Sequence, residues 1–127
     1  MRLLLDTHIA LWALADSPRL SPAARAMLED PDNECWFSSA SAWELAIKIR
    51  LGKHRLNFPV ADLEEAIAKA GFLTLPVTVR HALAIESVDM PHADPFDRLL
   101  LAQCQTETMR LLTSDKLLAE LPIAIRA

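Results

Sequence analysis

Arg2-Leu3-Leu4-Leu5-Asp6-Thr7-His8 is the stretch on which the fold turns. Three consecutive leucines between an arginine and an aspartate read as a short strand buried on both faces, the pattern of a parallel sheet. Runs of the same kind recur at 34–38, where Cys35, Trp36 and Phe37 stand together, and at 72–76 and 110–113. A last edge strand is expected at 122–125. Helical patterns lie between them. Residues 9–14 are rich in Ala and Leu. Ser21-Pro22 supplies a capping serine and a proline at the first helical position, opening a helix to about residue 30. Ser39, Ser41 and then Glu44 suit a helix start, which 43–51 continue to Gly52 as a C-terminal stop, and 62–70 form another helix closed by Gly71. Thr78 caps a helix through 85, Asp94-Pro95 opens a long one through 109, and 115–121 is expected to be a short one. Short apolar strands alternating with helices predict right-handed βαβ units on a parallel sheet covered on both faces, an α/β fold.

The 127 residues have the length of a single domain, 1–127, and 52% hydrophobic residues suffice for a core without staples. Only two glycines are present, so few connections can use left-handed turns cheaply. No run reaches the roughly 18 apolar residues that span a bilayer. Asp6 interrupts the N-terminal apolar run too early for a signal peptide. Cys35 and Cys104 make neither a disulfide framework nor a metal-type spacing, so buried thiols in a reducing cytoplasm are expected. The net charge of −4 argues against a nonspecific nucleic-acid coat. Four acids gathered as metal ligands would account for all of it and leave a neutral body around an acidic pit.

Four acids fall near one edge of the expected sheet, the edge at the carboxyl ends of the strands where sites form in such folds. Asp6 ends the first strand, Glu44 lies early in the helix after the second, Asp97 in the first turn of the helix opened by Asp94-Pro95, and Asp115 two residues beyond the fourth strand. Each has an ordinary explanation. Asp6 could cap a helix. Glu44 and Lys48 form an i, i+4 pair on a solvated face. Asp97 could pair with Asp94 in capping, and Asp115 could start a helix. These explanations weaken together, because Glu44 sits among Trp43, Leu45, Ala46 and Ile47 on a helix expected to be buried nearly all round. Carboxylates about 4 Å apart would repel by roughly 4 kcal/mol per pair at an effective dielectric of 20. No Lys or Arg is interleaved at all four positions, so a divalent cation is the economical counter-charge.

An all-carboxylate set suits Mg²⁺ or Mn²⁺. His8 and His92 are near enough in sequence to be considered as ligands, against a structural or substrate contact. The chemistry expected is phosphodiester hydrolysis. Asp6 and Asp97 are assigned to the main metal. Glu44 ligates or orients the attacking water, and Asp115 supports a second metal or binds through water.

At this point the residues resemble a known family. Leu3-Leu4-Leu5-Asp6-Thr7-His8, Ser41-Ala42-Trp43-Glu44-Leu45-Ala46-Ile47-Lys48, Leu112-Thr113-Ser114-Asp115 and, most specifically, His92-Ala93-Asp94-Pro95-Phe96-Asp97-Arg98-Leu99-Leu100-Leu101-Ala102-Gln103 resemble the four acidic segments of PIN domains, in order and spacing over nearly the whole chain. The resemblance implies a three-layer α/β/α sandwich with a central, mainly parallel sheet and Mg²⁺- or Mn²⁺-dependent endoribonuclease activity. At this length the chain looks like a VapC toxin of a type II toxin–antitoxin pair. Such toxins usually form homodimers, act on transfer, ribosomal or messenger RNA, and are inhibited by a cognate VapB-type antitoxin. Between Asp94 and Asp97, the second matches the family's aspartate followed by an apolar helix, leaving Asp94 to cap. Thr7, Thr113 and Ser114 could bond carboxylates or metal water, or cap locally. Lys48, Arg50, Lys53, His54 and Arg55 form the densest basic run and could hold RNA phosphates, against a solvated helix end. Arg98 could contact phosphate or an antitoxin acid.

Three rivals stand beside this reading. A haloacid-dehalogenase-type phosphatase needs a second acid two residues after the first, where His8 stands. A receiver domain wants adjacent acids near the first strand and a phospho-acceptor aspartate after a central one; neither is clear. A catalytically silent PIN-like binding module would have no use for a mutually repelling acidic cluster.

Overall fold

The computed structural model describes residues 1–89 and 94–127. Its strands are β1 (Arg2–Leu5), β2 (Glu34–Ser38), β3 (Leu73–Leu75), β4 (Arg110–Thr113) and β5 (Ala124–Arg126). They form one sheet in the order β3-β2-β1-β4-β5, and every neighbouring pair is parallel. Alternation along the strands feeds two separate cores. Leu3, Leu5, Cys35, Phe37 and Leu112 enter one cluster, while Leu4 and Leu111 enter the other. The leucine run of β1 is buried on both sides because helices cover both faces.

The first face is covered by α1 (Thr7–Leu14), α2 (Pro22–Glu29) and α4 (Leu63–Lys69), through Ile9, Ala24 and Ile67. The second is covered by α5 (Val79–Ala84) and α6 (Pro95–Glu107), whose Leu99, Leu100, Leu101, Ala102 and Cys104 are buried. Each fully buried leucine contributes about 1.5–3 kcal/mol. Between β2 and α4, α3 (Ser39–Arg50) gives Leu45 to the first core and Ala40 to the second. The result is the three-layer α/β/α sandwich. Burial pushes the Cys104 thiol up to about 12, an inert core thiol. Among the described residues no helix is long and apolar enough to cross a membrane.

Local signals acted as the sequence suggests at several ends. The Ser21 hydroxyl accepts the amide of Ala24, with Pro22 at the first helical position. Gly52 and Gly71 stop α3 and α4 at φ of 73° and 84°. α3 starts at Ser39, as the serines there suggest, with the Ser38 hydroxyl accepting the Ala40 amide as its cap. Three expectations shift. α3 is not buried all round. Trp43 is 60% exposed, its ring edge-on to Phe96 at 5.2 Å, and Ile47 is also exposed, because α3 packs one face only. The long helix ends at Glu107, where Thr108 takes a left-handed conformation (φ 56°) and turns the chain to bury Met109. The expected helix at 115–121 is a turn and a single 3-10 segment, Leu118–Glu120, closed off before Pro122.

His81 is a brace on the second face. Thr78 and His81 form a reciprocal capping box, with His81 Nδ1 accepting the Thr78 amide at 3.0 Å. That leaves the proton on Nε2, which lies 2.8 Å from Glu107 Oε2. Gln103, fully buried, links His81 Nδ1 to the Ser38 hydroxyl, joining α5, α6 and the end of β2.

Candidate active site

The strand order reverses at β1. The chain builds β2 and β3 outward on one side and then crosses to lay β4 on the other. Between the carboxyl ends of β1 and β4 lies the switch point, the place where an open α/β sheet leaves a crevice. Asp6 and Thr113 end those strands, and the Asp6 amide donates to the Leu112 carbonyl at 3.0 Å.

A pocket of about 440 Å³ opens at this point, and Asp6, Glu44, Asp97 and Asp115 all line it. Asp94 is a fifth lining acid. Its capping role is also realised, since Oδ1 accepts the amides of Phe96 and Asp97 at 2.9 and 3.0 Å. Sequence reasoning separated cap from pocket, but the start of α6 puts both at one edge. Asp115 has a second task too, with Oδ1 accepting the amides of Leu117 and Leu118 at 2.9 and 3.1 Å.

Asp6 occupies the N-cap position of α1, yet its side chain makes no capping hydrogen bond. It is buried instead, and its Oδ2 accepts from the Thr113 hydroxyl at 2.6 Å. The same hydroxyl accepts the Asp115 amide at 3.0 Å, so Thr113 ties the two strand ends together. Glu44 is 6% exposed. The Thr7 hydroxyl donates to its Oε1 at 2.8 Å and lies 2.8 Å from the Ser41 hydroxyl, while Lys48 donates to Oε2. The Glu44–Lys48 pair expected on a solvated face therefore exists, but its carboxylate is buried in the site.

Electrostatics single out Asp97. Burial pushes its carboxyl up to about 7, and Asp6, Asp94, Glu44 and Asp115 add to the rise in that order. Burial likewise raises Asp6, against the lowering effect of its bond from Thr113. Lys48 and Arg19 also line the pocket, the first as the expected i, i+4 partner of Glu44. Five carboxylates less two cations still leave an excess of three negative charges when all are ionised. Among the described residues no three acids are gathered as a ready-made cage. Lys48 and Thr7 hold Glu44, and backbone amides hold Asp115.

Of the other candidate residues, Ser114 lines the pocket and Arg98 does not. The basic run divides. Lys48 is in the acidic pocket, His54 and Arg55 line an adjoining groove, and Arg50 and Lys53 face solvent. His8 lines both pocket and groove, and His92 lies outside the described residues. Trp12 and Arg19 also line both, and sequence reasoning missed them. Nothing local marks Arg19 in Ser17-Pro18-Arg19-Leu20, a stretch that reads only as a break.

This fold, with acids converging at its switch point, has known counterparts. The PIN domain family matches residues 3–124, and the chain belongs to that family. Among its relatives, ribonuclease VapC22 of Mycobacterium tuberculosis is 32% identical over 116 residues, covering 89% of this chain and 86% of the relative. Ribonuclease VapC16 of the same organism is 40% identical over 70 residues, covering 51% of this chain and 48% of the relative. Solved structures share the fold. A VapBC2 complex from Rickettsia felis, bound to a promoter DNA fragment, superposes with a TM-score of 0.64 at 14% identity, covering 100% of this chain and 98% of that one. A toxin–antitoxin complex from Klebsiella pneumoniae gives 0.63 at 20% identity, covering 97% and 95%.

Proposed function

We propose that this single-domain chain is a Mg²⁺- or Mn²⁺-dependent endoribonuclease of the VapC type. The observation that carries the reading is the convergence of Asp6, Glu44, Asp94, Asp97 and Asp115 on one pocket at the switch point of the sheet, where burial and the neighbouring acids raise the Asp97 carboxyl to about 7. Such a cluster is costly for a merely structural surface and suits a site built for a cation. The donor chemistry fits, because every acid offers hard oxygen, the set that Mg²⁺ and Mn²⁺ take. Bound there, a divalent cation supplies an acidified water and counter-charge for the leaving oxygen of a phosphodiester.

The chain's own residues do the rest. Asp6 and Asp97 hold the cation. Glu44, fixed by Thr7 and Lys48, ligates or orients the attacking water. Asp115 reaches the site through water or a second cation, and Thr113 keeps Asp6 and Asp115 in register. Lys48 and Arg19 offer positive charge to the substrate phosphate from the pocket wall.

The reading extends to an RNA substrate among transfer, ribosomal or messenger RNA, in the cytoplasm, with inhibition by a cognate VapB-type antitoxin. It includes a homodimer, supported by Val79 and Leu83, one turn apart on α5 and each more than 70% exposed. One observation favours a silent binding module instead, the Lys48 ammonium already seated on Glu44.

Incubation of purified protein with total RNA and Mg²⁺, Mn²⁺ or EDTA decides between them. Metal-dependent cleavage, lost in Asp6→Asn and Asp97→Asn with folding retained, is expected. Undiminished cleavage in both variants, or none by the native chain with either metal, would overturn the reading.

A further inference from the structure

Beside the acidic pocket runs a second hollow of about 410 Å³, within the size range of small-ligand sites. The two share His8, Trp12 and Arg19 as walls, so they form one continuous trough. Their chemistry is opposite. The first has five carboxylates, whereas the second has no acid among its lining residues and carries Arg19 and Arg55. Aromatic rings line the second in series. His8 stands between Trp12 and His54, its ring centroid 5.8 Å from one and 5.7 Å from the other. Burial, with His8 and Lys48 nearby, holds the His54 imidazole below its ordinary value, which favours an uncharged flat ring.

We infer that this groove is a nucleotide subsite, which takes the base and sugar of a residue flanking the phosphodiester held in the acidic pocket. The inference deepens the ribonuclease reading and rests on it for the placement of the phosphodiester. An RNA strand whose phosphate lies among the carboxylates must leave the pocket, and the shared wall of His8, Trp12 and Arg19 is a path lined with what RNA needs. Unpaired bases stack on aromatic side chains and guanidinium planes, and stacking is worth a large affinity factor for each base. Arg19 and Arg55 serve the flanking phosphates, and the absence of acids along the groove spares the strand a repulsion it meets only where a cation would offset it. Stacking tolerates any base, so the subsite contributes affinity for unpaired RNA and directs cleavage to single-stranded segments.

The test uses a fluorescent, nuclease-resistant 2′-O-methyl RNA heptamer and a matched series carrying one abasic residue at each position. Anisotropy is read for the native chain and for Trp12→Ala, Trp12→Phe and Arg55→Ala. Trp12→Ala is expected to weaken binding of the intact heptamer about tenfold or more. One abasic heptamer should bind the native chain equally weakly and lose no more than about twofold further with Trp12→Ala. Trp12→Phe, which keeps a ring and the packing of α1, should recover most of the affinity. Arg55→Ala should weaken intact and abasic heptamers alike and flatten the salt dependence. Unchanged binding in Trp12→Ala and Arg55→Ala, as expected if a protein segment occupies the groove, would overturn the inference. So would a Trp12→Ala loss equal on all heptamers. Cleavage with Mn²⁺ is scored separately. Ring-dependent binding without cleavage by the native chain would defeat the ribonuclease reading and leave the subsite standing; cleavage without ring-dependent binding would do the reverse.

Discussion

Thr113 makes one hydroxyl serve two acids, donating to Asp6 and accepting the Asp115 amide. Thr113→Val keeps the shape and removes both bonds, leaving a buried carboxylate that burial already disfavours. Loss of about 1–3 kcal/mol is expected in urea denaturation, the cost of an unsatisfied buried acceptor. Asp97 acts in the opposite sense. Its carboxyl titrates near 7 when folded, against 3.8 as its ordinary value. The folded state therefore binds the proton more tightly, so this group's contribution to stability falls as pH rises from about 4 to 7 and stays low above that. Metal-free protein in EDTA should melt higher at pH 5.5 than at pH 8. Asp97→Asn should flatten that difference and raise stability at pH 8 by roughly 1 kcal/mol, after allowance for partial solvent screening. Equal pH dependence in native and variant melting curves would refute the assignment. The position of Asp6, Glu44, Asp97 and Asp115 was legible because each sits at a fixed offset from a strand or helix start. Trp12 and Arg19 were not, because they reach the site through packing that no local pattern encodes.

Elements were legible where a residue's local preference and its tertiary role agree. Ser21-Pro22 opens α2 and Gly71 closes α4 for purely local reasons. The sequence pattern runs α6 on through 109, whereas the helix ends at Glu107, because Thr108 carries a left-handed turn that only glycine or asparagine announces in a sequence. The cost is tolerated because Met109 is then buried. Thr108→Gly should remove the steric penalty of a β-branched residue at φ 56°, with a net gain of up to about 1 kcal/mol, seen as a rise of a few degrees in Tm. A fall in Tm would show the threonine to be held by something other than backbone strain. The burial of α3 is not legible for a different reason. Apolar residues around a helix state what could be buried, and the number of packing partners decides what is, so Trp43 remains outside.

At the scale of the molecule, the β3-β2-β1-β4-β5 order gathers acids that lie 109 residues apart in sequence, from Asp6 to Asp115, around one crevice. Strand and helix alternation made the parallel sheet legible. The order itself, and hence the switch point between β1 and β4, is set by tertiary packing, because no local signal states which side of β1 a later strand will join. Convergence of like charge predicts linkage between metal and folding. Mg²⁺ at a hundred times its dissociation constant should stabilise the fold by about 2.7 kcal/mol.

The most direct measurement is Mn²⁺ binding by isothermal titration at pH 7.5, with the native chain, Asp6→Asn, Asp97→Asn and Asp62→Asn, the last an exposed acid outside the pocket. Saturable binding is predicted for the native chain and Asp62→Asn, weakened at least about tenfold in the two pocket variants, the loss expected when a charged ligand is removed. Equal Mn²⁺ affinity in all four proteins, or no saturable binding in the native chain, would contradict the account.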